Sequence, residues 1–177
     1  MSKGKFDCSA ITFQERTIKK WTTPQILFFA WKQGEIECKG STPLHDALLT
    51  GLDKIMQSSA TNKILIIGTD GKNNSSKVRD PEVVKAKMTE FIEKYDGLPI
   101  YLCEGMEAWT SANTLGLSVN TCLATNFASE QDTAGAARAV TEVCTQYMNA
   151  PTQPDVCRSS TMPCFTAQHR SSSQTRD

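Results

Sequence analysis

Thr42 and Asp70 are the two residues of this sequence best suited to chemistry. A threonine hydroxyl and an aspartate carboxylate are hard oxygen donors, a usable half-site for Mg²⁺, which takes octahedral oxygen ligands while keeping some of its waters. Each also has a plainer reading: Thr42 precedes Pro43 and suits a helix cap, and Asp70-Gly71 suits a turn. Other chemistries lack their residues. A phosphotransfer hydrolase built on an aspartate pair needs acids two positions apart, and the positions flanking Asp70 at that spacing are Gly68 and Lys72. There is no G-x-x-x-x-G-K-[ST] loop for a nucleotide and no G-x-S-x-G nucleophile elbow. Cys103, with Glu104 beside it, is the best remaining nucleophile, but the two histidines, His45 and His169, stand far from it in sequence. The seven cysteines are odd in number and form no C-x-x-C pair, so they read as buried, reduced thiols filling core space. Cys157, Cys164 and His169 have the spacing of no common metal site.

Those residues need elements to hold them. Residues 63–68, Lys-Ile-Leu-Ile-Ile-Gly, form the continuous apolar run of a parallel strand covered on both faces, ending in a polar turn over 69–74. Before it, Gly40-Ser41-Thr42-Pro43 opens a helix with Thr42 as N-cap and Pro43 at its first position. Leu44, Leu48, Leu52 and Ile55 make one apolar stripe along that helix. Downstream the pattern predicts a helix over 81–95, a strand over 99–103, a short helix over 108–115 and a short strand over 121–125. A last helix, capped by Asp132 or Thr133, runs to about Met148 with Ala136, Val140, Val143, Cys144 and Tyr147 facing inward. Upstream, alternation over 6–13 and 16–21 predicts an antiparallel hairpin, and the cluster Ile26 to Trp31 after Pro24 predicts a short helix.

Strands alternating with helices make an α/β protein: a Rossmann-like, doubly wound, mostly parallel sheet with one antiparallel edge strand. In such sheets ligands bind beyond the carboxyl ends of the strands, which brings the 40–43 and 69–76 loops together. Residues 1–149 carry this pattern as one domain. Residues 150–177, with Pro151, Pro154, Pro163 and Ser171-Ser172-Ser173, carry almost no apolar periodicity and are expected to be disordered or loosely draped.

The 177 residues hold 19 basic and 19 acidic side chains, so the chain lacks the basic excess of a general nucleic-acid or polybasic membrane binder. No apolar run reaches the roughly 18–20 residues of a membrane span. No apolar core follows Met1 to Asp7 as in a secretory signal, so the expected location is the cytoplasm.

The run Gly40-Ser41-Thr42-Pro43-Leu44-His45-Asp46-Ala47-Leu48, an apolar helix, and then Ile64-Leu65-Ile66-Ile67-Gly68-Thr69-Asp70-Gly71-Lys72 together resemble von Willebrand factor type A domains. The likeness is greatest to intracellular bacterial and phage-type members with a G-G/S-T-P-L-x-x-A-L loop. Ser9 to Phe13 and the stretch reaching Trp21 look like the second and third strands of that fold, so the resemblance spans residues 5–149. It implies a metal-ion-dependent adhesion site made from a D-x-S-x-S motif, a threonine and an aspartate. The threonine falls on Thr42 and the aspartate on Asp70, while Asp7 and Ser9 match only the first two positions of the motif, inside what should be the second strand. The first strand and its helix are therefore expected to be missing, which would leave strand edges open to self-association.

The function this resemblance implies is a protein–protein interaction module rather than an enzyme. In it Mg²⁺, or Mn²⁺ or Ca²⁺, would bridge to an acidic residue of a protein partner, with Ser41, His45, Gly71 and Asn73 around the contact. His45 is expected to be solvated at the helix start, and Arg79, Lys85 and Lys87 to line a solvated helix face. The alternatives are a degenerate structural protein without metal, or a small α/β hydrolase. With three of five ligands absent, isothermal titration is expected to find weak or no Mg²⁺ binding; a micromolar site lost in Asp70→Ala overturns this.

Overall fold

A computed structural model describes residues 8–14, 17–23, 40–69, 73–105, 108–150 and 163–172. The chain forms an antiparallel ribbon of β1 (Cys8–Gln14) and β2 (Thr17–Thr23), then α1 (Leu44–Met56), β3 (Ile64–Thr69), α2 (Pro81–Tyr95), β4 (Leu98–Cys103) and α3 (Ala108–Thr114). A 3-10 turn (Val119–Thr121), β5 (Cys122–Ala124), α4 (Glu130–Asn149) and α5 (Ala167–Ser172) complete it. Strands β3, β4 and β5 make a parallel sheet in that order, so the α/β, Rossmann-like class expected from the alternation is the class observed. The antiparallel strands form their own two-stranded sheet. The short helix expected after Pro24 lies outside the described residues.

β4 explains the layering. Its side chains alternate between two apolar clusters, and a strand so placed has no polar face. Tyr101 and Cys103 point into one cluster with Leu44, Leu48 and Leu52 of α1 and Val84, Met88 and Phe91 of α2. Leu98 and Ile100 point into the other, with Leu123 of β5 and Ala136, Ala139, Val143 and Tyr147 of α4. Helices thus cover both faces of the central strand.

β3 departs from its expected double cover. Leu65 and Ile67 enter the first cluster, but on the other face Ile66 is 52% exposed, because β3 is the edge strand and α4 lies over its neighbours. The ribbon leans on α1 rather than on the sheet: Phe13 packs against the first cluster, and a Cβ on Gly51 would stand 3.7 Å from both Ile11 and Leu65.

Two caps differ from the expected ones. α1 starts at Leu44, so Pro43 rather than Thr42 stands at the N-cap, and no side chain of its own caps it. α4 starts earlier than expected because Ser129 accepts the Asp132 N–H, making Asp132 a buried first-turn residue. α2 follows its sequence signals: Asp80 accepts from Glu82 N–H, Pro81 fills the first turn, and Asp96 ends it at φ 51°.

Two tertiary locks close the structure. The Tyr147 hydroxyl, in the last turn of α4, donates to the Asp96 carbonyl at 2.5 Å and accepts from the Lys63 N–H at 3.3 Å. The second lock corrects the expectation of a loose tail. Phe165 is 3% exposed in the α4 cluster, and its N–H donates to the Asn120 carbonyl at 2.8 Å. Arg170 donates to the carbonyls of Cys122 and Val119 and lies 4.7 Å from the Trp109 ring centre. His169 Nε2 sits 2.8 Å from the Glu142 carboxylate. One apolar anchor and one arginine fork dock this segment without any helical periodicity.

Cys103 and Cys122 are buried as expected, and burial pushes the Cys122 thiol up to about 12, leaving it protonated at neutral pH. Cys8 and Cys164 are exposed instead, since both lie outside the two apolar clusters. No helix among the described residues is long and apolar enough to cross a membrane.

Gly97, in the turn between α2 and β4, has no room for a side chain: a Cβ there would stand 2.2 Å from the fully buried Phe91 ring. Gly97→Ala is expected to destabilise the fold by about 1–3 kcal/mol. A urea midpoint unchanged from wild type would contradict this packing.

Candidate functional site

The site lies beyond the carboxyl end of β3, where the start of α1 meets residues 73–79. Pro43 cannot cap α1 with a side-chain oxygen, so the first N–H groups of the helix need acceptors from elsewhere. The Asn-Asn-Ser-Ser stretch at 73–76 supplies them. Asn73 Oδ1 accepts from the His45 N–H at 3.4 Å, and Ser76 Oγ accepts from the Asp46 N–H at 3.3 Å. Ser76 in turn donates its proton to Asn73 Oδ1 at 2.5 Å. Asn74 clamps Thr42 from both sides: its Oδ1 accepts from the Thr42 N–H at 2.5 Å, and its own N–H donates to the Thr42 carbonyl at 3.1 Å.

The fastening is reciprocal. The Asp46 carboxylate accepts from the N–H groups of Lys77 at 2.8 Å and Val78 at 3.1 Å. His45 Nδ1 lies 3.0 Å from the Val78 carbonyl, which requires a proton on Nδ1. The acidic side chain also sits favourably in the first turn of α1. A loop tied at this many points to a packed helix is a fixed surface.

That surface encloses a cavity of about 550 Å³ lined by Ser41, Asn73, Asn74, Ser75, Ser76 and Arg79. Its described walls are hydroxyls, carboxamides and one guanidinium. The lining is predominantly polar, so it suits a polar or charged group rather than a greasy one.

The structure brings some of the expected residues together. Ser41 and Asn73 line the cavity, and Thr42 borders it with its backbone clamped and its hydroxyl without a hydrogen bond among the described residues. Asp70, Gly71 and Asp7 lie outside the described residues, and Ser9 is exposed on the β1 ribbon. His45 is a correction: it is buried, at 7% exposure, and ties down the loop instead of meeting solvent. Arg79 is another. It is solvent-exposed as expected, but it stands before α2 on the cavity wall and not on a helix. Lys87 reaches across to Asp53 of α1 and joins two helices, while Lys85 pairs with Glu82 within α2.

The expected metal site rests on Asp70, which lies outside the described residues. They contain no group of three His, Cys, Asp or Glu side chains placed to hold an ion. Asp46, the one described carboxylate in the loop contact, is already taken by two backbone N–H groups. Cys103, the alternative nucleophile, is 1% exposed, with its thiol toward the Glu104 carbonyl. No family model, curated protein or solved structure matches the chain.

Asp46, Asn74 and Ser76 were not predicted as site residues, although an acid in the first turn and a run of four small polar residues are signals for capping partners. Asp46→Ala removes the acceptor of two loop N–H groups and is expected to cost about 1–2 kcal/mol. Native-state hydrogen exchange should then show Lys77 and Val78 exchanging faster while β4 stays protected; unchanged exchange at both would refute the clamp.

Proposed function

We propose that the chain is a protein-interaction module whose ligand sits in the crevice between the start of α1 and residues 73–79, and that it is not an enzyme. One observation carries this reading: the polar loop is sewn to α1 through its inner atoms, while its outer side lines an open polar cavity. A fixed surface with unspent polar groups binds without paying to order itself.

The position supports the same reading, since ligands of parallel α/β sheets lie beyond the carboxyl ends of the strands. The order of loop, helix and strand also supports a module of the von Willebrand factor type A kind. The burial of Cys103 argues against the hydrolase alternative. A bridging Mg²⁺ at Thr42 and Asp70 belongs to the resemblance and is not needed by this reading.

The test fills the cavity. Wild-type protein is expected to bind a subset of peptides on a random peptide array. Ser41→Trp, which changes a wall residue outside any helix or strand, should abolish that binding with an unchanged circular dichroism spectrum. An empty array, or binding that survives Ser41→Trp, sinks the proposal.

A further inference from the structure

The polar groups of the cavity are not evenly divided between donors and acceptors. Asn73 Oδ1 accepts twice, from the His45 N–H and the Ser76 hydroxyl. Asn74 Oδ1 accepts from the Thr42 N–H. These bonds fix which way each carboxamide is turned, because only its oxygen can accept. Asn73 then has only its NH₂ group left for a ligand, and Asn74 has its NH₂ group and one lone pair of its oxygen. Ser76 Oγ has given its proton to Asn73 and accepts from the Asp46 N–H, so it too is occupied. The Ser41 hydroxyl makes no hydrogen bond among the described residues and can donate.

Arg79 adds five N–H donors and a fixed positive charge. It makes no ion pair or hydrogen bond among the described residues, although acids stand close by in chain and space. Asp46 is satisfied by the Lys77 and Val78 N–H groups, and Asp80 caps α2 by accepting from Glu82. Among the described residues the neighbouring carboxylates thus accept from backbone N–H groups, and none of them pairs with the guanidinium.

We infer that this cavity binds a carboxylate of an acidic protein segment directly through Arg79, without a bridging metal. The inference rests on the interaction-module reading and names the chemistry of its partner. An acceptor-only ligand is what a wall of leftover donors selects. A single planar guanidinium beside neutral N–H and O–H groups matches the single charge and flat shape of a carboxylate. The charge that a metal would have brought is supplied here by the protein itself.

The experiment is fluorescence anisotropy of the full chain with a labelled oligo-aspartate peptide, in EDTA and again in Mg²⁺, with oligo-asparagine as the uncharged control. Binding of oligo-aspartate in EDTA is expected, and Arg79→Gln should weaken it about tenfold or more. Arg79→Lys, which keeps the charge but loses the fork, should fall between the two. Arg79 holds no structural partner, so the melting temperature of Arg79→Gln should match wild type and show that the loss is one of recognition. Equal binding by wild type and Arg79→Gln overturns the inference, as does competition by inorganic phosphate stronger than by acetate at matched ionic strength. Binding that appears only with Mg²⁺ and disappears in Thr42→Val also overturns it, while leaving the interaction module standing. An absence of binding in both buffers overturns the inference alone if the peptide array still yields Ser41-dependent binders, and both readings if it does not.

Discussion

A proline at the start of α1 sets the problem that the rest of this site solves. Pro43 occupies the N-cap and offers no oxygen, so the first turn of α1 begins with donors unmet. Unmet backbone donors in a partly buried position cost free energy comparable to a lost hydrogen bond. The chain meets the cost from thirty residues away, with Asn73 and Ser76, and returns the favour through Asp46. A cap made by a distant loop does two things that a local serine cap cannot. It fixes the loop after β3 relative to α1, and it turns the acceptor atoms of that loop inward. The donor-rich cavity is the outer face of the same arrangement. Site and stability are therefore two readings of one set of bonds, and substitutions in the loop should seldom affect one without the other.

Behind the site, β4 ties the two halves of the fold together. Because its side chains alternate between the α1–α2 cluster and the α4 cluster, neither helical layer can loosen without exposing one of its faces. Tyr147 adds a polar stitch at the far end of the sheet, and the 163–172 segment seals α4 through Phe165 and Arg170. The carboxyl end of β3, where ligands would enter, is spared these closures. Rigidity comes from below the site and access from above it.

Much of this was legible in the sequence, and the reason is periodicity. The leucine stripe of α1, the capped start of α2 and the apolar run of β4 each repeat a local pattern over many residues, and local patterns survive reading one residue at a time. What stayed hidden was set by pairings between distant residues. His45 reads as a solvated helix-start residue until Val78 is placed beside its ring. Arg79 reads as one surface charge among many until the fold sets it on the same cavity wall as Ser41. The tail reads as disordered because a single phenylalanine and a single arginine create no pattern, yet both dock. β3 reads as doubly covered because its composition is that of a central strand, and composition does not say which strand is the edge.

That mismatch at β3 has its own physical meaning. A strand of Ile-Leu-Ile-Ile carries no charge or proline to discourage pairing, and Ile66 presents half its surface on an open face. Gly68, paired with Leu102 of β4, would let a Cβ point into open space, so its glycine serves no packing need visible among the described residues. What steadies the strand is uneven: Leu65 and Ile67 pack against the α1–α2 cluster, while on the other face only Ile64 reaches the α4 cluster, near the Tyr147 bond at the strand's entrance. The clamp of residues 73–78 onto α1 supplies the constraint from the other direction, so the geometry of the crevice depends on helix-to-loop hydrogen bonds and not on the strand that precedes it.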